Sequence, residues 1–324
     1  KVKDINDSTD TETTEWQDAA DWDIGDEVPF KIEGTLPSNY DKYKKYTLKF
    51  HDKEEEGLTF KSETVKVFID NTEITEGFRV VVNPEDNDTF DVVFDNLKTT
   101  SAKNNSVIRV EYKSVLNEKA NLGKPGNKNT MYMEFSNNPN NEQGGDKGQT
   151  AEDKVIVFTY KVVINEIDSR RVPLAGAAFK LEKVLTNGEK KLVKECTIGA
   201  DENDLEKTKF EFTGLDDGQY ILTETVAPEG YNTMHPITFS IVASHDTVSA
   251  DPKLTDLNGN PVNGEIEFTA NKDKGTLTAA VVNYQGDELP STGGMGTTIL
   301  YAAGVILILA AGAFLVMQKK AENK

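Results

Sequence analysis

The chain has a single cysteine, Cys196, among 324 residues, so no disulfide can close within it. Cys196 reads as a small buried apolar side chain, and stability must come from packed cores or from some other cross-link. Histidine is nearly as scarce: His51, His235 and His245 show neither metal-ligand spacing nor a Ser or Cys partner motif. Zinc-type and triad chemistry are therefore not expected, and no metal or cofactor is assigned. Positive charge is also short, with 36 basic residues against 55 acidic ones and a net charge of -19. That excludes nucleic acid as a partner, because neutralising phosphates requires clustered Lys and Arg. An initiator Met and a signal-peptide pattern are missing at Lys1, and the sequence is expected to be a fragment or processed form. Sustained helical periodicity is absent before the last thirty or so residues.

What is present is alternation. Apolar and polar residues exchange with period two through Tyr46–Phe50, Val65–Ile69, Val107–Tyr112, Met131–Phe135, Val155–Ile164, Tyr220–Thr225 and Leu277–Val282. Turn-rich stretches such as Pro84-Glu85-Asp86-Asn87 and Asp216-Asp217-Gly218 separate such segments. Many short strands with Gly, Asn and Asp turns predict an all-β chain of two tandem immunoglobulin-like β-sandwiches. A polar, Gly- and Asn-rich stretch, Asn137–Asp153, carries no core-forming residue and reads as the connection between them. The expected domains are residues 1–140 and 155–286, with 141–154 as linker and 287–324 as a C-terminal tail.

The tail has three parts. Leu289-Pro290-Ser291-Thr292-Gly293 is followed by 21 uncharged, mostly apolar residues, 297–317, and then by a short tail, 318–324, carrying Lys319, Lys320 and Lys324. The apolar run suits a transmembrane helix, and the lysines place its end in the cytoplasm. The composite resembles the LPXTG cell-wall sorting signal of Gram-positive surface proteins. The resemblance implies that a sortase cysteine attacks the Thr292 carbonyl, releases Gly293 onward and passes the acyl group to an amine. The span would then be transient, holding the substrate at the membrane until it is cut. Pro290 favours the extended peptide that a groove can hold.

Further motifs narrow the resemblance. Tyr220-Ile221-Leu222-Thr223-Glu224-Thr225-Val226-Ala227-Pro228-Glu229-Gly230-Tyr231 is similar to the E-box of Gram-positive pilins, and Pro173-Leu174-Ala175-Gly176-Ala177-Ala178-Phe179 to the opening of collagen-adhesin B-type (prealbumin-like) domains. Asp23-Ile24-Gly25-Asp26 and Glu134-Phe135-Ser136-Asn137-Asn138-Pro139 resemble the isopeptide-forming D2-type domain of backbone pilins. The chain thus resembles a sortase-assembled fimbrial major pilin. That implies a secreted, peptidoglycan-anchored subunit of a cell-surface pilus, with sortase, neighbouring pilins and peptidoglycan as partners. The alternative is a monomeric wall-anchored adhesin or minor pilin that meets a host ligand through its loops. Catalysis on an external substrate is not expected.

The resemblance also implies a Lys–Asn isopeptide bond in each domain, formed beside a carboxylic acid. Strand phase tests which side chains can point inward. In the second domain Tyr220, Leu222 and Glu224 share a face, as do Leu277, Ala279, Val281 and Asn283. Glu224 is the expected acid and Asn283 the amide. The segment Ile164-Asn165-Glu166-Ile167-Asp168 places Glu166 where the family has its Lys, with Lys161 on the opposite face. No ordinary isopeptide bond is therefore expected there, and Glu166 and Glu224 become two buried acids, at least one of them protonated. In the first domain Leu48, Phe50 and Asp52 are in phase, as are Met133, Phe135 and Asn137. That nominates Asp52 as acid and Asn137 as amide. Either Lys1 supplies the amine or the reactive Lys lies upstream of it; Lys3 and Lys1 are both out of phase with Val2. The acceptor Lys of a pilin motif is not visible and is expected before Lys1.

Overall fold

The computed structural model describes residues 1–9, 11–12, 15–196 and 207–286. Cleavage site, apolar run and basic tail lie outside the described residues. Among the described residues no helix is long and apolar enough to cross a membrane.

Two four-stranded sheets and two larger ones account for most of the strands. In the first sandwich, one sheet runs in the order Glu27–Thr35, Val107–Leu116, Leu58–Ile69, Thr72–Ile74. The facing sheet runs Ala19–Asp21, Asp153–Phe158, Asn127–Ser136, Leu48–Glu54, Phe90–Phe94, Arg79–Val82, with Lys147–Gln149 paired to Asn127–Ser136. The alternation seen in the sequence becomes two faces: Val28, Phe30, Ile32 and Tyr112 of one sheet meet Phe50, Phe90 and Phe94 of the other in one buried cluster.

The second sandwich sets a sheet of Lys209–Leu215, Tyr160–Asp168, Thr276–Asn283 and Phe268–Asn271 against a sheet of Lys190–Cys196, Ala178–Val184, Gly218–Val226, Ile237–His245 and Leu254–Asn263. Its core holds Tyr160, Phe179, Phe210, Phe212, Tyr220 and Phe239 together with Cys196, which is 6% exposed. Strand Tyr160–Asp168 runs parallel to Thr276–Asn283, so the first and last strands of this sandwich lie side by side.

Two expectations about organisation are corrected. The segment 141–154 is not a free linker. Lys147–Gln149 pairs with Glu134–Ser136, and the following strand Asp153–Phe158 pairs with residues 127–131 of the same sheet. Nor is Val155–Ile164 one strand. It divides at the fully buried Thr159, whose hydroxyl donates to Leu215 O at 3.2 Å while its carbonyl accepts from Gly123 N–H at 3.0 Å. Strand Asp153–Phe158 serves both cores: Val155 and Val157 pack into the first, Ile156 and Phe158 into the second. A strand apolar on both faces reads as one continuous run, which is why the break is invisible in the pattern.

Candidate functional site

In the second sandwich three strands aim polar side chains into one end of an otherwise apolar core. Tyr220 and Leu222 lead to Glu224; Leu277, Ala279 and Val281 lead to Asn283; Tyr160, Val162 and Ile164 lead to Glu166. The parallel register sets Glu166 beside Val281 and Asp168 beside Asn283. Asn283 Nδ2 donates to Glu224 Oε1 at 2.7 Å, and the Met234 backbone N–H donates to Glu224 Oε2 at 2.6 Å. Glu166 has no exposed surface, and neither of its carboxyl oxygens has a hydrogen-bond partner. Burial first, and the neighbouring Glu224 second, push its pKa up to about 8. Glu166 is therefore a neutral acid at pH 7. Glu224 is also raised, by burial, against the hydrogen bonds from Met234 and Asn283. Lys161 lies elsewhere, its ammonium 3.2 Å from Glu211 Oε2.

Among the described residues the fully buried lysine of this sandwich is Lys183. It is in phase with Phe179 and Leu181, but opposite Tyr220, whereas Phe179 is opposite Glu224. Four residues of strand separate them, about 13 Å. Its Nζ lies 2.9 Å from Asp23 Oδ2, 3.3 Å from Asp216 Oδ2 and 3.6 Å from Asp7 Oδ2. Burial alone would lower its pKa, but Asp216 and Asp23 outweigh it and hold the amine charged. Beside it Asp4 and the edge strand Ala19–Asp21 of the first sandwich make a second contact of the same kind. His245 Nε2 lies 3.3 Å from Asp21 Oδ1 and 3.4 Å from Asp4 Oδ2, and these carboxylates, overcoming burial, push its pKa up to about 10. The Asp23-Ile24-Gly25-Asp26 motif was legible as a signature; its ionic partner 160 residues away was not.

The first sandwich holds a similar group. Asp52, 1% exposed, accepts from Tyr112 Oη at 2.6 Å, and Asn129 Nδ2 donates to the same hydroxyl oxygen at 2.7 Å. Asp52 is raised well above the usual carboxylate range, first by burial and then by Glu54, itself pushed up to about 7 by burial. Asp52 Oδ1 and Asn129 Oδ1 are buried without a hydrogen-bond partner. They line a small cleft shared with Lys1, Phe30 and Met131.

Asn137 is not in this group. It is exposed, and its Nδ2 donates to Lys147 O at 2.9 Å. Phase cannot separate the two asparagines, since residues 129 to 137 at even spacing share a face. Register does: Met131 stands opposite Asp52, so Asn129 is its diagonal neighbour while Asn137 lies six residues, about 20 Å, further on. Lys1 reaches the cleft's edge, but its ammonium pairs with Asp18. Lys3 sits 5.5 Å over the Trp16 ring.

Residues 160–256 match the family model of the SpaA prealbumin-like fold domain, and residues 281–324 match that of the LPXTG cell wall anchor motif. The chain is 27% identical to a trypsin-resistant surface protein of Streptococcus pyogenes over 92% of its length, and spans 65% of that protein. Among solved structures it is similar to the modular three-domain backbone pilin of the same organism, with 20% identity, a TM-score of 0.58 and coverage of 89% of this chain and 69% of that one. A 35 kDa C-terminal fragment of the major pilin of Streptococcus agalactiae gives 23% identity and a TM-score of 0.52, covering 69% and 87%. The pilus backbone of Streptococcus pneumoniae gives 16% and 0.52, covering 87% and 99%.

Proposed function

We propose that this chain is a shaft subunit of a sortase-polymerised pilus, cleaved between Thr292 and Gly293 and joined to the next subunit or to peptidoglycan. The observation that carries the reading is the order of parts: two sandwiches with buried amide–acid groups, followed directly by an LPXTG anchor match. The described chain acts here as a substrate, and the chemistry of attachment belongs to a sortase. Replacing Thr292 by Ala is expected to abolish wall attachment, and immunoblots of cell-wall extracts from wild-type cells should show a high-molecular-weight ladder. A single wall-anchored band instead would favour a monomeric adhesin or minor pilin with a host ligand.

Within the subunit, Asp52 and Asn129 are the acid and amide of the first sandwich. An uncharged amine entering the cleft would bond through nitrogen to the Asn129 side-chain carbonyl carbon. The carboxamide nitrogen would leave as ammonia, with protonated Asp52 giving it a proton and recovering one from the amine. Tyr112, bonded to both groups, holds them in place. The amine is Lys1 released from Asp18, or a Lys upstream of it. Expressed with its upstream residues, the chain is expected to weigh about 17 Da less than its sequence requires, for the loss of one ammonia. Asn129→Ala and Asp52→Ala should restore the full mass, and Asn137→Ala should not. In the second sandwich Glu224 and Asn283 face Glu166 in place of an amine, so no loss is expected there; a total deficit of about 34 Da would refute this.

A further inference from the structure

On the outer face of the first sandwich's larger sheet, Tyr132, His51 and Asp91 stand in a row across three strands in register. An outward histidine would ordinarily be wet, yet His51 is only 5% exposed. Its ring is stacked on Tyr132 at a centroid distance of 4.1 Å and an interplanar angle of 9°, which fixes the imidazole plane. The other cover is the loop between Arg79–Val82 and Phe90–Phe94. That loop is held by Asn83 and Asn87 in left-handed conformation and by hydrogen bonds between Asn83 and Thr89 and between Asn87 and Pro84. It turns Asp86 and Asp88 back over the ring.

His51 Nδ1 lies 2.7 Å from Asp88 Oδ2, 3.2 Å from Asp91 Oδ1 and 3.5 Å from Asp86 Oδ2. One imidazole nitrogen carries at most one proton, and the shortest contact takes it. Asp91 Oδ1, on a side chain 3% exposed, is left without a hydrogen-bond partner and aimed at the same point. Three carboxylates and one imidazole converge here, their ligand atoms all within 4.8 Å of one another. Opposing them is Lys49, whose ammonium lies 2.8 Å from Asp86 Oδ2 and 2.7 Å from Asp91 Oδ2. The negative charge exceeds the positive even with the ring protonated.

We propose that His51, Asp86, Asp88 and Asp91 form a binding site for one divalent transition-metal ion of the zinc type. A tetrahedral ion with bonds of about 2.1 Å spaces its ligands about 3.4 Å apart, close to two of the three distances already present. The third, to Asp88, lengthens when the ion replaces the shared proton. The imidazole donor and the tetrahedral spacing favour zinc over calcium and manganese, which prefer oxygen shells of higher coordination number. Bound there, the ion ties the loop to the sheet and satisfies the orphaned Asp91 oxygen.

The test is calorimetric titration of the EDTA-stripped intact chain with MnCl₂, ZnCl₂ and CaCl₂. One equivalent of zinc should bind saturably, and manganese and calcium more weakly. Asp88→Asn and Asp91→Asn should each weaken binding roughly tenfold or more. Lys49→Met, which removes the competing ammonium, should tighten it several-fold, a gain that a misfolded variant would not produce. Absence of saturable binding in the wild type, or an affinity unchanged in all three variants, overturns the proposal.

Discussion

Raising the pH from about 4.5 to about 8 is expected to remove on the order of 3–5 kcal/mol of stability from the second sandwich through Glu166 alone. The direction follows from where the proton is held. In the unfolded chain Glu166 titrates near 4.5, whereas burial and Glu224 move it to about 8 in the folded protein. Between these values the native state holds a proton that the unfolded state has lost. The contribution is complete below pH 4.5, falls across the window and is flat above 8. Glu54 and Asp217, each pushed up to about 7 mainly by burial, act in the same direction. Wild-type stability alone therefore does not isolate Glu166; the comparison with Glu166→Gln does. Gln is a neutral isostere at every pH, so calorimetric melting from pH 5 to pH 9 should show a shallower decline in the variant. Curves that stay parallel across the range would mean that Glu166 is ionised or solvated in the native state. Glu166→Leu should go further, because it also removes two carboxyl oxygens buried without partners.

Loss of the Lys183 ammonium is the other large effect expected. Lys183→Met keeps much of the side-chain length but leaves Asp23 and Asp216 facing each other with their shared cation gone, where both are buried. Breaking a buried pair on one side costs about 3–5 kcal/mol, more than the pair is worth in place, because the remaining charge is uncompensated. Part of the loss should return in Lys183→Met with Asp23→Asn, which removes one stranded carboxylate. Chemical denaturation of the single and double variants measures this. If Lys183→Met costs under about 1 kcal/mol, the cluster is better solvated than its burial implies.

The sequence went furthest where period two could do the work. Inward residues of the E-box strand, Tyr220, Leu222 and Glu224, could be named from spacing, as could Asn283 at the end of its run and Glu166 at the end of a third. All three sit at strand ends beside an apolar row, and parity alone sends them to the core. Parity failed where two positions share it. Asn129 and Asn137 are equivalent in phase, and only the pairing of Met131 with Asp52 distinguishes them. Composition misled for residues 141–154, where polar and glycine-rich character hid Lys147–Gln149 on the sheet of the first sandwich.

By itself, then, the sequence determined the all-β class, the inward faces of most strands, the absence of a disulfide and the nature of the C-terminal signal. These depend on residue type and on spacings of a few residues, which the chain carries locally. The tertiary structure alone decided which Asn meets Asp52, that Asp153–Phe158 is shared between two cores, that Lys183 is bound by Asp23 and Asp216, and that His51 is covered by Asp86 and Asp88. Each depends on strand register or loop closure between distant segments. Such choices are settled by the packing of the whole sandwich, because a shift of one register step would turn an entire row of side chains to the other face.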